Sequence, residues 1–79
     1  MMEPREPKYQ WGQLVKTRFD LFNDGSYPEE PGQALLVQNG TLGEIVQVGT
    51  HVETGVPVYL VEFGPGRVVG CQEEELVVY

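Results

Sequence analysis

Cys71, His51 and the run Glu73-Glu74-Glu75 are the residues of this chain whose types could carry chemistry. A thiolate is a nucleophile and a soft metal ligand, so Cys71 could touch a metal cluster transiently or exchange with a thiol on a client protein. Free cysteine is also among the most often buried residue types, and its place after Val69-Gly70 suits a small filler of the core. A lone cysteine holds no cluster, and no Cys-x-x-Cys or Cys/His pair completes a zinc site, so no bound metal or cofactor is expected. His51 sits beside Glu53 in a segment with loop chemistry, and nothing in the spacing joins it to Cys71 as a Cys–His nucleophile. Successive glutamates could serve acid–base work or form an acidic docking face. At a short helical turn they are more often solvated and favour its N-terminal end. No catalytic constellation is visible, and the residues point to a binding module, not an enzyme.

Positioning these residues falls to short strands. Gln13 to Leu21 alternates, with Val15, Thr17, Phe19 and Leu21 on one side and Lys16, Arg18 and Asp20 largely on the other, which predicts a half-buried first strand. The segment Phe22-Asn23-Asp24-Gly25-Ser26-Tyr27-Pro28-Glu29-Glu30-Pro31-Gly32-Gln33 is dense in turn formers and predicts a long irregular loop. Leu35 to Val37 is a short apolar patch that ends in a turn at Gln38-Asn39-Gly40. Thr41 to Val48 and Val58 to Phe63 are rich in β-branched and aromatic residues, and they flank a hairpin tip that holds His51. Gly64-Pro65-Gly66 is a turn, Arg67 to Cys71 another strand, and Gln72 to Leu76 a single acidic helical turn before Val77-Val78. About five strands, a long early loop and a helical turn before the last strand predict an all-β, small SH3-like barrel over residues 13–79, with 1–12 a flexible lead-in. The expected core is Val15, Phe19, Leu35, Val37, Val46, Val48, Tyr59, Val61, Phe63, Val69 and Leu76. Gly40 and Gly43 read as a turn and a close strand crossing, rather than as the opening of an RNA-binding barrel.

Composition narrows the partners. With 79 residues the chain makes one domain that hides only about 60% of its unfolded surface. A single cysteine allows no internal disulfide, which favours a reducing, cytoplasmic setting. No apolar run approaches the roughly 18 residues of a membrane span, and none resembles a signal peptide. Twelve acidic against five basic residues give a formal charge of −7, which repels a phosphate backbone and favours protein partners over nucleic acid or membrane.

Read in order, Asn23-Asp24-Gly25, Pro31-Gly32, Ala34 to Val37, Gly40-Thr41-Leu42-Gly43, Val58 to Phe63, and Val69-Gly70-Cys71 with Glu73, Glu75 and Leu76 resemble the NifZ family of nitrogen-fixation accessory proteins. The resemblance covers residues 13–78. It implies a cytoplasmic, chaperone-like factor in maturation of the nitrogenase molybdenum-iron protein, where the family is associated with P-cluster formation, and so an immature form of that protein as partner. Many family members continue into a second, C-terminal portion, and any role carried there is not expected of these residues. A second reading is an SH3-like subunit or attachment module of an electron-transfer enzyme, similar to the small barrel subunit of ferredoxin-thioredoxin reductase. The candidate partner-binding residues are Asp24, Gly25, Glu29 and Glu30 of the long loop, with Cys71, Glu73, Glu74 and Glu75. Tyr9, Trp11 and Tyr27 either cover the open end of the barrel or offer an aromatic anchor.

Overall fold

A computed structural model describes residues 6–23, 25 and 28–79 of the chain. Its elements are β1 (Leu14–Thr17), β2 (Leu21–Phe22), β3 (Leu35–Val37), β4 (Leu42–Thr50), β5 (Pro57–Glu62), β6 (Val68–Gln72), a single 3₁₀ turn (Glu73–Glu75) and β7 (Leu76–Val78). Five strands form one antiparallel sheet in the order β6-β5-β4-β1-β7, and β2 and β3 form a separate two-stranded ribbon. The last strand pairs with the first, two hairpins follow, and a 3₁₀ turn precedes the last strand. This is the all-β, SH3-like barrel expected from the sequence, with the ribbon lying in its long early loop.

The first strand is shorter than the alternation predicts. β1 ends at Thr17 and the chain bends at Arg18-Phe19. Thr17 is buried, and its hydroxyl donates to the Gln38 carbonyl at 2.8 Å and accepts from the Thr41 amide at 3.2 Å, which ties the strand end to the next turn. The bend breaks the phase of alternation, so Phe19 swings out to 53% exposure while Leu21 re-enters the core. The ribbon register explains a second correction. Leu21 pairs with Val37 and Phe22 with Leu35, so the first pair faces the core while Phe22 and Leu35 stay exposed. Of the expected core, Phe19 and Leu35 therefore lie outside it.

In β4 the sequence offers Ile45 and Val46 side by side, and the inward one is Ile45, which is fully buried. Ile45 pairs with Val61 and Val48 with Tyr59, which leaves Val46 as the extra residue of a β-bulge. The bulge shifts the alternation by one residue, so Ile45 before it and Val48 after it both pack on the core. Val46 is half-buried. Gly43, on the same inward face, is the close crossing: a Cβ there would lie 2.6 Å from Val61 Cγ1 and 2.8 Å from the Phe63 ring.

The chain joins the packed domain earlier than Gln13. Tyr9 is 2% exposed and stands edge-on to Tyr59, with ring centroids 5.4 Å apart. Its hydroxyl donates to the Leu76 carbonyl at 3.1 Å, binding the N-terminal arm to the start of β7. Tyr9 thus covers the barrel end, whereas Trp11 is 75% exposed; Tyr27 lies outside the described residues.

Candidate functional site

The acidic residues singled out by the sequence fall into two groups at opposite ends of β6. Arg67, just before β6, donates to the Leu36 carbonyl at 3.2 Å and pairs with Glu30 at 3.5 Å, which fastens the long loop there. The 3₁₀ turn Glu73–Glu75 follows β6 directly. At the strand rise of about 3.3 Å per residue, the two groups are separated by roughly 15 Å of extended chain.

Buried Asn23 organises the loop. Its side-chain amide donates to the carbonyls of Glu30 and Pro31 at 2.9 and 3.0 Å, and its side-chain oxygen accepts from the Gly25 amide at 3.0 Å. Gly25 takes φ 101°, where a side chain is disfavoured. The Asn-x-Gly pattern is thus an Asx turn that shapes the loop. Gly25 and Glu29 are exposed, and Asp24 lies outside the described residues. Asp20 is tied to the next turn, where its carboxylate accepts from the Asn39 amide at 2.7 Å.

The three glutamates of the turn have different tasks. Glu73 accepts from the Tyr59 hydroxyl at 2.7 Å and from the Lys8 amide at 2.9 Å. The same Tyr59 oxygen accepts from the amides of Lys8 and Tyr9 at 2.8 and 3.2 Å, so Glu73 and Tyr59 together clamp the arm. Burial first, then the hydrogen bond to Glu73, holds the Tyr59 hydroxyl above the ordinary phenol range. Glu75 accepts from the Gln72 amide at 2.8 Å and fixes the start of the turn. Glu74 is exposed, on a cleft it shares with Lys8, Tyr9, Arg18 and the residues of β7.

Cys71 points from β6 into the buried core cluster at 1% exposure and is not on the surface with the glutamates. Burial, reinforced by the charge of Glu75, pushes its thiol up to about 12 from an ordinary value of 9.0. The thiolate is the reactive form, so this thiol is inert in the folded chain. Iodoacetamide at pH 8 should leave Cys71 unmodified until the chain unfolds, and mass spectrometry across a urea titration checks this. Rapid labelling of native protein would show that the thiol is accessible. Linkage has a definite sign: the folded state holds this proton more tightly, so the stabilisation is complete below about pH 9 and is lost as pH rises from 9 toward 12. His51 is exposed in the β4–β5 tip, where its amide donates to the Val56 carbonyl at 2.9 Å. Among the described residues, no three His, Cys, Asp or Glu side chains come together to hold a metal ion. No helix among them is long and apolar enough to cross a membrane.

The groups that sequence reasoning passed over are apolar. Leu21, Phe22 and Leu36 of the ribbon face Val69, Gly70, Gln72 and Glu75 across a groove of about 180 Å³. The signal was present in two short apolar runs, Leu21-Phe22 and Leu35-Leu36-Val37, that flank the long loop. Their alternation divides them between core and surface.

Comparison with known proteins places this arrangement in a family. The NifZ domain matches residues 6–78, a span that includes the arm, both loop ends and every strand. The chain is 38% identical over 73 residues to Protein NifZ of Azotobacter chroococcum mcd 1, covering 91% of this chain and 46% of that protein. To Protein NifZ of Azotobacter vinelandii it is 37% identical over 73 residues, covering 91% and 45%. To that of Frankia alni it is 38% identical over 71 residues, covering 86% and 36%. The chain therefore spans less than half the length of each of these curated relatives. No solved structure gives a significant match. With the family match extending over nearly the whole described domain, the chain belongs to the NifZ family.

Proposed function

We propose that this chain is a non-catalytic accessory domain of nitrogen fixation that binds the immature molybdenum-iron protein of nitrogenase and holds it receptive while its P-clusters form. The observation that carries this reading is the family match over residues 6–78. The chemistry of the surface supports it: the thiol is withdrawn into the core, while exposed carboxylates stand at both ends of β6 and the formal charge is −7. Such a surface attracts a basic or mixed protein face and accelerates encounter.

The geometry decides which carboxylates can be tested. Reversing Glu73 would break the arm clamp, so loss of binding in that variant would report on folding. Glu29 and Glu74 are exposed and suit the experiment. The double variant Glu29→Lys/Glu74→Lys should keep the native melting temperature within about 2 °C. Rim charges act mainly on association, so capture of immature molybdenum-iron protein should weaken by about tenfold at low salt, with the difference shrinking as salt rises. Undiminished capture by a folded double variant would remove the acidic surface from the docking site.

A further inference from the structure

The barrel has an open seam. β6 pairs on one side with β5 and is the edge of the five-stranded sheet, while the ribbon across from it belongs to a separate sheet. Arg67 bridges the seam at one end, through the Leu36 carbonyl and Glu30. Beyond that bridge the two sides diverge into the groove lined by Leu21, Phe22, Leu36, Val69, Gly70, Gln72 and Glu75. An uncovered strand edge presents unpaired main-chain donors and acceptors, which proteins normally cover, charge or shorten. Among the described residues no strand pairs with this edge and none of its own residues is charged: it reads Val68, Val69, Gly70, Cys71, Gln72, and Gly70 carries no side chain to obstruct the main chain.

We propose that this seam is a strand-accepting site: an extended segment of a partner protein adds to the edge of β6, setting an apolar side chain against Phe22 and Leu36 and a lysine or arginine beside Glu75. Two features select this occupant. Main-chain pairing at a sheet edge requires an extended segment, with alternate side chains falling into the groove. The side chains of Leu21, Phe22, Leu36 and Val69 line the groove beside polar main chain, and its one charged lining residue, Glu75, complements a basic residue rather than an acidic one. Phe22, 60% exposed beside its cross-strand partner Leu35, supplies the aromatic anchor that protein interfaces favour. The inference rests on the reading of the chain as a client-binding domain only in that a client supplies the segment; it names the face and the chemistry of the contact.

The test uses the 79-residue chain and a phage-displayed library of random 12-residue peptides as probe. Enriched peptides should carry an apolar residue near a lysine or arginine and should perturb the amide resonances of Val69 to Gln72. Phe22→Ala should weaken a selected peptide by about tenfold, as loss of an interface anchor does. Glu75→Gln keeps an oxygen for the Gln72 amide and removes only the charge. It should weaken the peptide about threefold at low salt and lose most of that effect at high salt. An acidic consensus, perturbations confined to the Trp11 arm or the hairpin tip, or no enrichment against the folded chain would each overturn the proposal. Capture of the molybdenum-iron protein by a Phe22→Ala chain at full strength would also overturn it while leaving the accessory role in place, so the two readings fail separately.

Discussion

Replacing Tyr9 by alanine should cost about 3–5 kcal/mol, the usual loss when a large aromatic is truncated in a packed core. The ring is 2% exposed, meets Tyr59 edge-on, and hydrogen-bonds the chain at Leu76. A domain of this size carries about 4–12 kcal/mol in total, so Tyr9→Ala should sit at or near the point of unfolding at room temperature. Tyr9→Phe keeps the ring and gives up only the bond to the Leu76 carbonyl, and it should cost about 1 kcal/mol. Urea denaturation of the three proteins checks both values. If Tyr9→Ala stays within about 1 kcal/mol of the parent, the arm is a lead-in and its clamp by Tyr59 and Glu73 contributes little.

The second large effect is expected at Gly43. A methyl group there would meet Val61 Cγ1 at 2.6 Å and the Phe63 ring at 2.8 Å, and Val61 is itself fully buried, with little room to move. Gly43→Ala should destabilise by about 1–3 kcal/mol, as overpacking of a filled core does. In a domain this small that is a fall in melting temperature of roughly 4–8 °C for each kcal/mol. Gly49 in the same strand is the control, because a Cβ there meets nothing within 4 Å. Gly49→Ala should be neutral or slightly stabilising. Equal melting temperatures for the two variants would mean that the β4–β5 crossing is looser than described.

These two sites show where the sequence was readable and where it was not. Val58 to Phe63 alternates without interruption, and Tyr59, Val61 and Phe63 face the core as the period-2 pattern requires. Gly43 was readable too, as a close crossing, because a glycine inside a strand pattern often marks a close approach of another chain segment. The bulge at Val46 was not: alternation cannot say which of two adjacent apolar residues is the inserted one, and only the pairing with β5 decides it. Nor was Tyr9, since Pro4 and Pro7 and the alternating charges around it disguise a residue whose partners lie about fifty and more positions away in the chain. The glutamate run was recognised as a surface feature, yet its division of labour depends on a long-range bond from Tyr59 that no local spacing reveals. Phe19 and Leu35 read as inward because nothing in the sequence marks the bend after Thr17 or shows that Leu21-Phe22 and Leu35 to Val37 pair as a ribbon. Two-stranded ribbons bury one face only, and Phe22 and Leu35 form the other.

The separation of core and surface also gives the account its functional shape. Chemistry-bearing groups are withdrawn or committed: Cys71 to the core, Glu73 to the arm, Glu75 to the turn. What remains on the surface is suited to recognition, with carboxylates at the two ends of β6 and a groove between β6 and the ribbon.

Anaerobic affinity capture tests the central claim most directly. The tagged chain is recovered from nitrogen-fixing cells that accumulate immature molybdenum-iron protein, and in parallel from cells in which the P-clusters are complete. The account predicts that molybdenum-iron protein is recovered from the first culture and lost from the second. Recovery of thioredoxin-reducing iron–sulfur subunits instead, or equal recovery of the molybdenum-iron protein from both cultures, would contradict it.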